Sequence, residues 1–119
     1  MAGKLLMIRA YDIDDTCQGR RILVDRLWPR GIKKESLEPF EWAKEITPST
    51  QIRKFFAHKA ENFEKFSELY LEELEGNPEA AKFKIHVKDL LKEDDVILIY
   101  AAKDPEINHV QVLKKFLQE

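Results

Sequence analysis

Six consecutive apolar residues, Val96-Ile97-Leu98-Ile99-Tyr100-Ala101, constrain this chain more than any other stretch. The run has the length of a strand and lacks the in/out alternation of a half-exposed one. A strand that is apolar on both faces belongs in a parallel sheet covered by other elements. The polar break Lys92–Asp95 precedes it, and a loop over Ala102–Ile107 follows. Asn108 then caps a last helix, with Gln111 three residues on as its capping-box partner. Val110, Leu113, Phe116 and Leu117 give that helix its core face.

The rest of the chain supplies partners for this strand. Lys4–Ala10 is apolar and reads as a first strand, and Arg21–Arg26 as a second. Tyr11–Gly19 is a polar loop. Ser36 caps a short helix or turn through Leu37. Phe40, Ala43 and Ile46 stand at helical spacing over Phe40–Ile46. Thr47-Pro48-Ser49 is a helix start, with Thr47 as cap and Pro48 at the first helical position. Ile52, Phe55 and Phe56 form its apolar stripe. Glu61–Leu74 is the clearest helix, with Phe63, Phe66, Tyr70 and Leu74 stepping by three and four. Gly76-Asn77-Pro78 ends it and starts another over Glu79–Leu91. Strand, strand, a run of helices, strand, helix is the order of an α/β fold: a small, mostly parallel sheet covered by helices. A length of 119 residues suits a single domain over 1–119.

Several classes are excluded. No apolar run approaches the ~18 residues of a membrane span. The start, MAGKLLMIRAYD, has too short an apolar run for a secretory signal and no cleavage pattern. The one cysteine, Cys17, has no internal partner, which fits a reducing cytoplasm. Net charge is −2, so there is no strong nucleic-acid signal. Charge is unevenly spread. Arg20–Lys34 holds six basic residues against Asp25, and Glu61–Glu79 holds seven glutamates against Lys65. A local positive patch focuses anions whatever the net charge.

That positive patch contains ILVDRLWPRG, Ile22–Gly31. It is a strand running into a corner with a carboxylate (Asp25), two arginines (Arg26, Arg30), a tryptophan (Trp28) and a Pro/Gly turn. In an open α/β sheet, ligands bind beyond the carboxyl ends of the strands. If this strand neighbours Val96–Ala101, then Arg26, Arg30, Lys103, Asn108 and His109 converge. Arginine forks match phosphate or carboxylate, and a helix start adds backbone donors. A possible small anionic ligand is the expected partner. The competing reading is structural: an Asp25–Arg26 ion pair, Trp28 as a core lid, and Asn108 as a cap alone.

Three histidines are available for proton chemistry: His58, His86 and His109. His109 lies in the first turn of a helix and His58 near a helix end, and both are candidate catalytic groups. No HxxxH, HExxH or CxxC occurs, so a metal site would need distant residues such as His58, His109 and Asp25. The common nucleotide fingerprints are missing, and the sequence names no cofactor.

Three segments carry a resemblance: LVDRLWPRGIKKE, EWAKEITPSTQIRKFFAHKAENFEKFSELYLEEL and LIYAAKDPEINHVQVLKKFL. With them the chain, over Lys4 to Leu117, resembles the small bacterial and archaeal proteins of domain-of-unknown-function family 488, in the YeaO-like branch. The resemblance implies a small cytoplasmic protein. Longer relatives carry a Cys-His-Arg triplet where this chain has Asn108-His109-Val110, so covalent thiol catalysis is not expected here. Residues and resemblance agree on Asp25, Arg26, Arg30, His58, Asn108 and His109. The leading reading is a site for a phosphate-like or nucleotide-like anion, in an enzyme or a decayed one. The alternatives are a protein-interaction module using the acidic helix, and a His/carboxylate metal site.

Overall fold

A computed structural model describes residues 3–119. Met1 and Ala2, the start of the segment read as no secretory signal, lie outside the described residues. In chain order the elements are β1 (Leu5–Arg9), β2 (Arg20–Leu23), α1 (Lys34–Leu37), β3 (Phe40–Trp42), α2 (Thr50–Phe56), α3 (Phe63–Glu75), α4 (Pro78–Leu90), β4 (Val96–Tyr100) and α5 (His109–Gln118). The strands form one parallel sheet in the order β1-β4-β2-β3.

The apolar run therefore occupies an interior position. β4 pairs Leu5↔Val96 to Arg9↔Tyr100 on one side and Arg20↔Val96 to Leu23↔Ile99 on the other. Both of its edges are hydrogen-bonded and both of its faces are covered. Val96, Leu98 and Tyr100 join Ile22 and Val24 against the helices, where Phe66, Tyr70, Val87, Leu113 and Phe116 pack. Ile97 and Ile99 point the other way, toward Leu23 and Leu37 and a lid of Trp28, Phe40 and Trp42. The fold is thus α/β with an entirely parallel sheet. Its helical layer lies on one face, and the other is closed by loops and short elements.

Three local expectations change. Ser36 does not cap α1 but lies inside it, after Lys33 at the cap position. Phe40–Ile46 is not a helix: Phe40–Trp42 is an edge strand, followed by a 3-10 turn at Lys44–Ile46. Three apolar residues at spacing three do not separate a helix from a strand plus a turn. The free edge of β2 decides it, through the pairings Arg21↔Phe40 and Leu23↔Trp42. The next helix also starts later. Ser49, not Thr47, precedes α2, and Thr47 Oγ1 instead donates to Lys44 O at 2.8 Å. Gly31 has φ +80, the left-handed turn conformation that glycine adopts without strain.

Among the described residues no helix is long and apolar enough to cross a membrane. Leu98 has no exposed surface, so Leu98→Ala is expected to reduce stability by about 2–5 kcal/mol in urea denaturation. A loss below about 1 kcal/mol would show that the cavity collapses and that β4 is less central than its packing implies.

Candidate functional site

The ladder between β2 and β4 ends at one carboxylate. Val24 N–H still donates to Ile99 O, at 2.9 Å. One residue further, the Asp25 side chain takes the place of a backbone carbonyl, and its Oδ2 accepts from Ala101 N–H at 2.9 Å. The backbone oxygen of Asp25 accepts from Trp42 Nε1 at 2.7 Å, which ties in the end of β3. His109, the first residue of α5, closes the group. Its Nε2 lies 2.8 Å from Val24 O and 3.3 Å from Asp25 Oδ1. A carbonyl only accepts, so Nε2 carries the proton, and in the neutral ring the lone pair is on Nδ1.

Above this group the strand ends open into a cleft of about 930 Å³. The corner after β2 forms one wall with Asp25, Arg26, Leu27, Trp28 and Arg30. The β4–α5 loop contributes Lys103, Asp104, Asn108 and His109, and α2 contributes Arg53, Lys54 and Phe56. His58 lines it too, after a helix end in which Ala57 and His58 both have positive φ, +47 and +57. Ala57 ends α2 as a left-handed C-cap, its N–H donating to Arg53 O at 2.9 Å.

All six residues singled out from sequence line this one cleft: Asp25, Arg26, Arg30, His58, Asn108 and His109. The reason is the pairing of β2 with β4, which sets the two strand ends side by side. Their roles in the chain differ. Arg26 and Arg30 are exposed and in no ion pair among the described residues, so Asp25 does not pair with Arg26. Asn108 is 1% exposed and both polar atoms of its side chain are hydrogen-bonded. Its Oδ1 accepts from Val110 N–H and Gln111 N–H, and its Nδ2 donates to Asp104 O. The reciprocal half of the capping box does not form, because Gln111 Nε2 turns to Pro105 O at 3.1 Å. Trp28 packs on Phe40 and Trp42 and donates from Nε1 to Ile32 O, so it is both lid and cleft wall. Among the described residues no three His, Cys, Asp or Glu side chains gather to hold a metal ion. The combination of Asp25, His58 and His109 is therefore not assembled.

Sequence reasoning missed Arg53 and Lys54. Both sit on α2, whose apolar stripe was legible while its orientation over the strand ends was not. Across the cleft, Asp104 is held by its own loop: Oδ1 accepts from Glu106 N–H and Ile107 N–H, which lowers its pKa below the usual carboxylate value.

With the geometry in place, the chain can be set beside known proteins. Residues 4–119 match the family described as "Inactive DUF488-N3 subclade". The chain belongs to that subclade. It is similar to the uncharacterized protein YeaO of Escherichia coli (strain K12), 44% identical over 110 residues, which cover 92% of this chain and 93% of the relative. It is also similar to uncharacterized protein Rv3073c of Mycobacterium tuberculosis (strain ATCC 25618 / H37Rv), 31% identical over 114 residues, covering 96% and 93%. No solved structure matches. The likeness to other DUF488 proteins thus spans the sheet, the helical layer and every wall of the cleft.

Beneath the cleft, Tyr70 donates its hydroxyl to Ile46 O, and its ring lies 6.3 Å from that of His109. Burial, then the charges of Glu73 and Asp25, push its phenol well above the ordinary 10.0. A raised folded-state pKa means that its stabilising effect is complete below pH 10.0 and lost as pH climbs toward the folded value. Alkaline absorbance titration is expected to show a late tyrosinate step that Tyr70→Phe removes. Loss of amplitude from the ordinary step near 10.0, with the late step retained, would show that Tyr70 is not the buried phenol. Asn108→Ala is expected to destabilise by about 1–2 kcal/mol through loss of the cap. A change within about 0.3 kcal/mol in denaturant unfolding would show that the cap does not hold α5.

Proposed function

We propose that this protein binds a small anion, phosphate-like or nucleotide-like, in the cleft at the strand ends, without covalent thiol catalysis. One observation carries the reading. Five cationic side chains, Arg26, Arg30, Arg53, Lys54 and Lys103, line one cleft against two carboxylates in a chain whose net charge is −2. None of the five is in an ion pair among the described residues. Both carboxylates, Asp25 and Asp104, are held by backbone amides. Cations gathered in a concave site raise the local concentration of an anion, and arginine forks bind it directionally.

The absence of thiol catalysis is supported by the description of the subclade as inactive. It is supported too by Asn108, which stands where the longer proteins that the chain resembles carry cysteine. Arg26 and Arg30 reach the ligand at the mouth, and Asn108 shapes the loop beside it. In this reading His109 and His58 exchange a proton with the bound molecule, and both line the cleft. The free Cys17 suits a reducing cytoplasm.

The test is an amide-resolved NMR titration with inorganic phosphate and then nucleotides, at low salt. Shifts are expected to cluster at Arg26–Gly31 and Lys103–His109. Replacing both Arg26 and Arg30 with Ala is expected to weaken binding by about tenfold or more, or ~1.4 kcal/mol and upward, with the thermal midpoint nearly unchanged because both are exposed. Silence at millimolar ligand would overturn the reading.

A further inference from the structure

Among the described residues, three buried side-chain atoms have no hydrogen-bond partner: Asp25 Oδ1, Ser49 Oγ and Arg53 Nε. A stranded buried donor or acceptor costs about 1–3 kcal/mol and is rare. Two of the three belong to residues of the same cleft. Asp25 and Arg53 line the cleft, and Ser49 stands between two residues that do, Pro48 and Thr50. The surroundings are ordered by the chain itself. Arg53 Nη2 donates to Thr50 Oγ1 at 3.2 Å, and Ser49 N–H donates to Glu73 Oε1 at 3.1 Å.

The two orphans lining the cleft have opposite needs. Arg53 Nε is a donor on a permanent cation and calls for an acceptor, best an anionic one. Asp25 Oδ1 belongs to a carboxylate whose other oxygen already holds Ala101 N–H; His109 Nε2 lies 3.3 Å from Oδ1, but its proton goes to Val24 O at 2.8 Å, so Oδ1 calls for a donor. A free anion answers only Arg53. A neutral polyol or amine answers only Asp25. The cleft volume, about 930 Å³, lies toward the upper end of ligand pockets, which run to roughly 1,000 Å³. Phe56 and Phe66, stacked with centroids 4.4 Å apart and buried, form an apolar floor behind it. Five cations around one cleft favour a dianion over a single carboxylate.

We propose that the ligand is a phosphomonoester whose body carries a hydroxyl or amino donor. Its phosphate meets Arg53 inside the cleft, with Arg26 and Arg30 at the mouth, and its donor meets Asp25 Oδ1. This names the ligand class for the anion site above and rests on that reading. Arg53 becomes the inner anion contact, and Asp25 the group that distinguishes a donor-bearing ester from a bare phosphate.

The experiment compares methyl phosphate, ribose 5-phosphate, adenosine 5′-monophosphate and unphosphorylated ribose by NMR titration. It is run at low salt about 1.5 pH units above the second phosphate pKa of ~6, so that the esters are dianions. At least one of the two donor-bearing esters is expected to bind about tenfold or more tightly than methyl phosphate, roughly the effect of one charged hydrogen bond. Ribose alone is expected to bind no better than methyl phosphate. Asp25→Asn is expected to collapse that tenfold ratio. Arg53→Gln is expected to weaken all three esters by about tenfold. Equal affinities for the three esters, or a ratio unchanged in Asp25→Asn, would overturn this inference while leaving the anion site standing. No binding by any ester at millimolar concentration would overturn both. If the amide spectrum shows Asp25→Asn to be unfolded, the ester ratio in the unaltered protein and the Arg53→Gln result decide.

Discussion

The hydrogen bond from Ala101 N–H to the Asp25 carboxylate is the joint on which the site depends. Parallel strands share a ladder only while their backbones run together. At the carboxyl ends of β2 and β4 the chain must leave in two directions, toward the DRLWPRG corner and toward the loop before α5. A side-chain acceptor at Asp25 extends the contact by one bond while freeing the backbone to turn. His109 locks the same point from above through Val24 O. One carboxylate and one imidazole thus fix two strand ends and a helix start.

The two faces of the sheet are finished differently, and this shapes the cleft. The helical face is closed by α3, α4 and α5, with Phe66, Tyr70 and Leu113 buried against Val24, Leu98 and Tyr100. The opposite face is closed by aromatic residues from loops and an edge strand: Trp28, Phe40 and Trp42. Each layer extends past the strand ends. The cleft lies between the tryptophan corner on one side and α2 with its following turn on the other. Tyr70, bonded to Ile46 O, braces the turn that leads into α2 against the helical layer.

Charge follows the same division. The glutamates of α3 are mostly on its exposed side, and one of them, Glu68, pairs with Lys65 at 3.8 Å. Such pairs contribute little to stability. Glu73 is the exception, since it accepts from the backbone of Ser49. The basic residues of the DRLWPRG corner and of α2 instead face a concavity, where their fields add.

Much of the architecture was legible in the sequence because it rests on local pattern. The apolar run of β4, the three-and-four spacing in α3 and α5, and Asn108 as a cap are statements about a strand's two faces, a helix's one face and a helix's free amides. The DRLWPRG corner was legible as a candidate site because its arginines stand at the end of a buried strand. What only the tertiary structure decided is pairing and orientation. Phe40–Trp42 became a strand because β2 had an open edge, a fact about a neighbour and not about the segment. Arg53 joined the cleft because α2 lies over the strand ends, and a helix's own periodicity gives its faces without saying what each face meets. The sequence by itself determined most of the buried residues and which end of the sheet is charged, although Phe55, read as part of an apolar stripe, is 42% exposed. The fold determined which of those charged and polar atoms look at one another across the cleft, because those distances are set by strand order and helix placement.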